Sequence, residues 1–145
     1  MNWPLQIEDL IGALDRVSNS GSAGNRAKSG SVIAVAGASG GVGSTSVGVN
    51  LACALAQDPE KSVVLVDLDV SLGDADVFLD TIPEYTLLDV AQNISRLDLS
   101  LLRKSLTKHE TGVYLLPRPV QLDDVETITH ENFNRVLSLL KASFS

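Results

Sequence analysis

The sequence predicts an α/β fold with a mostly parallel, doubly wound sheet. Residues 31–37 and 62–67 are continuous apolar runs, which is typical of strands buried on both faces. A helical pattern over 45–57 lies between them, ended by Asp58 and Pro59, because proline disfavours helix in the residue before it. A strand, a helix and a second strand in succession indicate parallel strands with helices covering the sheet.

Four further elements complete the domain expected over 31–145. Leu87, Leu88 and Val90 suggest a short helix, and Asp98 has the character of an N-cap for another helix that closes before Gly112. Residues 112–116 form an apolar run stopped by a proline, and we expect a third strand there. Within the first long helix, we expect four residues to face the sheet: Val47, Leu51, Ala52 and Leu55. Asp123 and Asp124 precede a turn, and Thr129 begins the last helix, whose apolar face is Phe133, Val136, Leu137 and Leu140.

Two segments precede this domain. Residues 1–17 carry apolar side chains at helical spacing with charged residues opposite, so an amphipathic helix is expected there. Residues 18–30 contain no large apolar side chain and have the composition of a flexible linker. We therefore predict a short helix joined by a linker to the main domain.

Composition excludes several classes of function. The chain has 145 residues, is 44% hydrophobic and carries a net charge of −7. Its basic residues are scattered, so we expect no nucleic-acid partner. No apolar run approaches the ~20 residues of a membrane span, so we expect no direct membrane insertion, and with no leader pattern a cytoplasmic location is predicted. A single cysteine and two histidines give no Cys/His metal-site pattern.

The turn after residue 37 is the candidate binding site. Three glycines, at positions 40, 41 and 43, are followed by the hydroxyl residues Ser44, Thr45 and Ser46. Backbone N–H groups freed of Cβ atoms can converge on a phosphate, and the helix that follows adds its dipole. The sequence thus predicts an anion site between a strand and a helix.

Two nucleotide-binding patterns fit this turn. Gly37, Gly40 and Gly43 form G-x-x-G-x-x-G, and with Asp67 at the end of the next strand they match a dinucleotide-binding turn of an NAD(P)-dependent oxidoreductase. The run S-G-G-V-G-S-T-S, from Ser39 to Ser46, aligns instead with the deviant Walker A loop K-G-G-x-G-K-T-[TS]. The loop alone does not decide between them.

Downstream segments favour the second pattern. The run T-S-V-G-V-N-L-A-C-A-L-A over 45–56 resembles a helix of the MinD/ParA family of P-loop ATPases. The run V-V-L-V-D-L-D-V-S-L-G-D-A-D-V-F-L-D over 63–80 is similar to the CpaE/TadZ pilus-assembly branch. The resemblance continues through 86–90, 96–98 and 112–117.

This resemblance implies a P-loop NTPase-like fold that binds ATP or ADP with Mg²⁺, forms a homodimer and contacts pilus-assembly and secretion proteins at the inner face of the membrane or the cell pole. It also implies that the helix at 1–17 is the remnant of a receiver-like domain. The family's Walker B strand would follow the last helix, so the fold is expected to be truncated before it, leaving open edges in the sheet.

The resemblance assigns roles to individual residues. The phosphate-binding set is Ser39, Gly40, Gly41, Val42, Gly43, Ser44, Thr45 and Ser46. Thr45 and Asp67 correspond to residues at the Mg²⁺ site, and Asp69 to one that positions the attacking water. Asp74 and Asp76 are expected to be turn and capping residues.

Two departures from the family pattern matter for activity. Ser39 replaces the signature lysine and Ser44 the P-loop lysine, so the charge stabilisation of phosphoryl transfer is reduced. Our leading hypothesis is a localisation or scaffold factor in type IV (Flp/Tad) pilus assembly with weak or absent hydrolysis. An active MinD/ParA-type ATPase and an NAD(P)-binding domain are the alternatives.

Overall fold

A computed structural model describes residues 30–69, 72–96, 98–119 and 128–145. The helix expected within 1–17, most of the linker and the turn at Asp123 and Asp124 lie outside these residues. The elements, in chain order, are α1 (Ser44–Ala56), β1 (Val64–Val66), α2 (Ala75–Phe78), α3 (Leu87–Gln92), α4 (Leu99–Lys104), β2 (Thr107–Lys108), β3 (Tyr114–Leu116) and α5 (His130–Ser143).

The three strands form one mixed sheet in the order β1-β3-β2. β1 and β3 are parallel with Val64 opposite Tyr114, which confirms the two strands expected over 62–67 and 112–116, each shorter than predicted. β2 pairs antiparallel with β3 and was not expected. It forms because α4 ends at Lys104, leaving residues 107–108 free to turn back along β3.

Helices cover both faces of the sheet, as a doubly wound fold requires. Successive residues of a strand point to opposite faces. Leu116 is buried with α3, α4 and α5, whereas Leu115 is buried on the other side with α1 and α2. The predicted α/β class, with helices on both faces of the sheet, is therefore confirmed.

Side-chain caps fix where two of these helices begin, as the sequence predicted. Asp98 accepts a hydrogen bond from the Leu101 N–H at 2.8 Å, and Thr129 accepts one from Asn132 at 3.2 Å. At the start of α3, Thr86 and Asp89 form a reciprocal capping box. Each cap satisfies a backbone donor that the first helical turn leaves without a partner.

The face of α1 that packs on the sheet differs from the prediction. Val49 and Ala52 are buried, and Cys53 packs beside them, whereas Val47 is exposed. Leu51 and Leu55 are half-buried. The contact face is thus rotated toward smaller side chains, which let the helix approach Leu65 and Leu115 closely.

The strand predicted over 31–37 is wrong for this structure. These residues have no strand pairing and are exposed, with Val32 at 74% and Ile33 at 59% of their full accessible surface. An apolar run becomes a buried strand only if a neighbouring strand pairs with it and side chains cover its faces. No described residue pairs with this segment or covers its faces. Among the described residues, the segment is hydrogen-bonded only just before its start, where the Gly30 N–H donates to the Lys141 carbonyl at 2.7 Å.

One edge of β1 is open in the described part of the chain. The Val63 carbonyl and the Asp67 N–H bond to β3, so by alternation the backbone groups of Val64 and Val66 point to the opposite edge. Among the described residues, that edge is paired only at Ser62, which accepts from the Ser145 N–H at 2.9 Å and donates to the Ser145 hydroxyl at 2.8 Å.

Candidate functional site

The glycine-rich turn leads directly into α1, which confirms the helix side of the predicted anion site. The strand side is not confirmed, because residues 31–37 form no strand. Gly41 and Gly43 adopt left-handed backbone conformations, with φ of 76° and 84°. Gly43 is the N-cap of α1, and no side chain caps the helix there. Only glycine occupies such conformations without strain, so two of the three glycines are required by the shape of the turn.

The donors of this turn point to no acceptor in the described part of the chain. The first intrahelical bond runs from the Val47 N–H to the Gly43 carbonyl at 2.9 Å, and the N–H groups of residues 40–46 have no partner there. Cβ atoms placed on Gly40, Gly41 or Gly43 would meet nothing within 4 Å, so the space in front of the turn is open. These are the features of a cradle that fits a phosphate group.

Gly37 fixes the base of the cradle. A Cβ at this position would lie 2.8 Å from a methyl of Val42 and 3.3 Å from the Ser44 hydroxyl oxygen. Residue 37 is therefore in close contact with the residues that enter the helix, and a larger side chain would push the turn open.

Asp67 follows β1 and organises the loop behind it. One carboxylate oxygen accepts from the Asp69 N–H at 3.0 Å, and the other accepts from the Ala75 N–H at 3.1 Å. The second bond satisfies a backbone donor at the start of α2, although Asp74 occupies the N-cap position and makes no side-chain cap bond. The predicted metal role of Asp67 stays a prediction, and the structure adds a structural role.

Asp69 lies in the same loop, with its carboxylate accepting from the Leu72 N–H at 3.0 Å. The backbone of the loop is closed by the Gly73 N–H, which donates to the Asp69 carbonyl at 2.8 Å. The two carboxylates are thus brought together at the carboxyl end of β1, where ligands of open α/β sheets bind.

Two residues that sequence reasoning did not assign hold this loop in place. Gly73 leaves no room for a Cβ, which would overlap the Asp67 carboxylate. Arg118, after β3, donates through Nε to the Gly73 carbonyl at 2.6 Å. In the run over 63–80, glycine at position 73 next to an aspartate was a usable sequence signal for a tight turn. The role of Arg118 was not predictable in this way, because it depends on a contact between residues 45 positions apart in the chain.

Packing places the Asp67 loop beside the first half of α1. Ala75, the first residue of α2, and Leu79, its C-cap, are buried against Val49, which lies in the second turn of α1. The glycine-rich turn and the two aspartates therefore belong to the same end of the molecule.

Comparison with known families decides between the two patterns of the turn. Residues 33–138 match the CobQ/CobB/MinD/ParA nucleotide binding domain, CbiA. The chain belongs to this family. The match includes the turn, α1, β1 and the Asp67 loop, which favours the deviant Walker A alignment over the dinucleotide-binding one.

Curated relatives agree with this assignment. The septum site-determining protein MinD of Thermotoga maritima is 33% identical over 117 residues, which are 79% of this chain and 41% of that protein. MinD of Escherichia coli K12 is 32% identical over 113 residues. The antiactivator FleN of Pseudomonas aeruginosa is 52% identical over 61 residues, which are 42% of this chain and 21% of FleN.

Among solved structures, the ParA family ATPase from Chlorobium tepidum has a similar fold. The TM-score is 0.68 at 27% identity, and the match covers 73% of this chain and 45% of that ATPase. The chain thus spans less than half the length of the relatives it matches.

The described residues also bear on membranes and metals. None of their helices combines the length and apolar character needed to cross a bilayer. Nor do they bring three His, Cys, Asp or Glu side chains together in a group that could hold a metal ion.

Proposed function

We propose that this chain is the nucleotide-binding part of a localisation or scaffold factor in type IV (Flp/Tad) pilus assembly, which binds ATP or ADP with Mg²⁺ weakly and hydrolyses ATP poorly. The observation that carries the proposal is a glycine-rich turn at the start of α1 whose N–H groups have no partner among the described residues, with serine at both lysine positions. Phosphate contacts come from backbone N–H groups of residues 40–46, and Thr45 and Asp67 would hold the magnesium ion.

The weak hydrolysis follows from missing positive charge. Between residues 29 and 95 the only lysine or arginine is Lys61, which pairs with Asp58 at 3.1 Å beyond the far end of α1. Arg118 reaches the Asp67 loop from after β3, but its guanidinium donates to the carbonyls of Gly73 and Pro119. Phosphoryl transfer depends on cations that stabilise the developing charge, and loss of one such donor costs about 3 kcal/mol, or roughly 100-fold in rate. Asp69 remains the candidate for positioning the attacking water.

The setting in pilus assembly is supported by the resemblance over 63–80 to the CpaE/TadZ branch. MinD and FleN are named for determining a septum site and for antiactivation, and a positioning or regulatory function suits a weak ATPase. Homodimerisation and contact with pilus-assembly proteins belong to the same proposal.

The second candidate is an active MinD/ParA-type ATPase. The family assignment favours it, and a cation supplied by a partner subunit would replace the missing lysines. Under this alternative, turnover of the intact protein equals that of lysine-bearing relatives and rises with protein concentration.

A thermal-shift panel of ATP, ADP, NAD⁺ and NADPH, with and without Mg²⁺, tests the nucleotide assignment. We expect Mg²⁺-dependent stabilisation by ATP and none by NAD⁺. Ser44→Lys should raise ATP turnover by about 100-fold, since it restores one charged donor. Gln57→Lys, which adds the same charge after the last turn of α1, is the matched control and should change nothing.

The outcomes separate the candidates. High turnover in the unaltered protein would contradict weak hydrolysis and support the active ATPase, and stabilisation by NAD⁺ would contradict the family-based site. Deletion of the gene followed by counting of surface pili tests the cellular role, and undiminished pili would refute it.

A further inference from the structure

α2 and the residues just before and after it carry a group of four large, exposed apolar side chains. We call it the α2 patch, and its members are Leu72 at 77%, Val77 at 70%, Phe78 at 52% and Ile82 at 94% exposure. The inward side chains Ala75 and Leu79 are buried against Val49 and Leu115. Among the described residues, the core therefore packs on the inner face of α2 and not on the patch, which leaves the patch as exposed apolar surface.

An ordered backbone presents this patch. Asp67 and Arg118 hold the chain just before α2, through their bonds to Ala75 and Gly73. After α2, the Asp80 N–H donates to the Val77 carbonyl at 3.1 Å and the Thr81 N–H to the Asp76 carbonyl at 3.0 Å. A prearranged surface loses little conformational entropy on binding, which favours recognition.

The segment that carries the patch has charged side chains of one sign. One cation from elsewhere in the chain reaches its edge, Arg118, which donates to the carbonyls of Gly73 and Pro119. Residues 62–95 contain seven acidic side chains and no lysine, arginine or histidine: Asp67, Asp69, Asp74, Asp76, Asp80, Glu84 and Asp89. Asp74, Asp80 and Glu84 are exposed next to the apolar side chains, and none of them is in an ion pair with a described residue.

We propose that the α2 patch docks an amphipathic segment of a partner protein, with apolar residues flanked by lysine or arginine. Complementary charge is the argument for this occupant. Two copies of the patch would bring acidic rims together, and an anionic bilayer surface would be repelled in the same way. A contact made by four apolar side chains and a few charges is small, and small interfaces are typical of transient complexes.

The biological setting of this inference rests on the proposed scaffold function, but the surface does not include the glycine-rich turn. Docking and nucleotide binding therefore fail separately. The double variant Phe78→Ser/Ile82→Ser alters only exposed positions, so it should fold and keep its thermal response to Mg²⁺ and ATP. Ser44→Lys should keep its affinity for the docked segment.

The experiment selects a displayed library of random peptides on the intact protein, with counter-selection on Phe78→Ser/Ile82→Ser. We expect recovered peptides to combine apolar residues with an excess of lysine and arginine. A recovered peptide, labelled for fluorescence anisotropy, should bind at least about tenfold more weakly to the double variant. A tenfold rise in salt concentration should also weaken binding of the peptide to the unaltered protein, because salt screens the exposed charges.

Two further variants sharpen the test. Leu99→Ser on α4 removes an exposed apolar side chain elsewhere and should leave peptide affinity unchanged. Asp74→Asn/Glu84→Gln keeps side-chain shape and removes two rim charges, so it should reduce affinity and its salt dependence.

Several results would overturn the proposal. They are recovery of no peptides or of neutral or acidic ones, affinity that survives Phe78→Ser/Ile82→Ser, and loss of affinity in Leu99→Ser. Dimerisation in sedimentation experiments, or binding to anionic vesicles, that depends on Phe78 would assign the patch to another occupant and would equally refute it.

Discussion

The guanidinium carbon of Arg103 lies 5.0 Å from the centre of the Phe144 ring, on the side of the sheet covered by α4 and α5. The same group lies 5.4 Å from the Tyr114 ring and donates to the Ser62 hydroxyl at 2.6 Å. One cation thus joins α4, β3, the end of α5 and Ser62, which lies two residues before β1.

Replacing this cation should destabilise the fold. Arg103→Met keeps much of the side-chain length and removes the ring interactions and the hydrogen bond, so we expect the free energy of unfolding to fall by roughly 1–2 kcal/mol. Urea denaturation measures the change. Lys104→Met, its exposed neighbour on α4, is the control with no expected effect, and equal losses in both variants would refute the role of Arg103.

Alanine at position 73 should disturb the loop that carries the two aspartates. A Cβ there would overlap the Asp67 carboxylate and displace it from the Ala75 N–H, at a cost of roughly 1–3 kcal/mol. Gly48→Ala in α1 has open space around it and should instead stabilise by about 0.5–1 kcal/mol. Thermal denaturation of both variants is the measurement, and similar stabilities would contradict the crowding at Gly73.

The glycine-rich turn allows a matched pair of substitutions. Gly43→Ala forces an L side chain into a left-handed conformation and should cost about 1–2 kcal/mol, whereas Gly40→Ala lacks that penalty and should be nearly neutral for folding. Inorganic pyrophosphate and ATP titrations then report whether the cradle survives. A Gly43→Ala variant as stable as Gly40→Ala would show that the turn adopts another shape.

Hydrogen exchange should distinguish the two edges of β1. The amide of Leu65 faces β3 and is expected to exchange more slowly than those of Val64 and Val66, which face the open edge. In the chain of residues 1–145, the protection factor of the Leu65 amide, measured by NMR, should exceed those of Val64 and Val66 by about tenfold or more. Equal protection of the three amides would mean that a further strand or a second copy already covers that edge.

Asp58 should titrate below the usual range for an aspartate. The Glu60 N–H, which donates to it at 3.0 Å, lowers its pKa most, and the Lys61 ammonium lowers it further. Because the pKa is lower in the folded state, the carboxylate stabilises the fold at pH values above its usual pKa, and that stabilisation is lost as pH falls through the folded-state pKa. Lys61→Met should raise the pKa of Asp58 only part of the way in an NMR titration, and a full return to the ordinary value would contradict the Glu60 contribution.

The sequence was sufficient where structure is decided locally. Asp98 and Thr129 cap the predicted helices, and the glycines of the turn adopt the conformations that only glycine tolerates. It failed where tertiary partners decide the outcome. Residues 31–37 have the composition of a buried strand but no described neighbour to pair with. In α1, Val49 is buried in place of the predicted Val47, because packing against Leu115 set the rotation of the helix.

The Asp67 loop shows the same division. The two aspartates were identified as site residues from their position after β1, but the bonds from Asp67 to Ala75 and from Arg118 to Gly73 depend on how separate segments meet. No periodicity in the chain encodes a contact of that kind.

Each oxygen of the Asp67 carboxylate accepts a hydrogen bond from a backbone N–H group, and one of these groups, that of Ala75, lies at the start of α2. Each oxygen keeps a second lone pair, and a divalent cation bound there would draw charge away from these two hydrogen bonds and weaken the start of that helix. Occupancy of the metal site and order of the outer apolar surface would then be thermodynamically linked, and such linkage is reciprocal. A partner bound at Phe78 and a cation bound at Asp67 would each lower the affinity of the other by the same factor, although Phe78 is not part of the cation site and its substitution leaves that site in place.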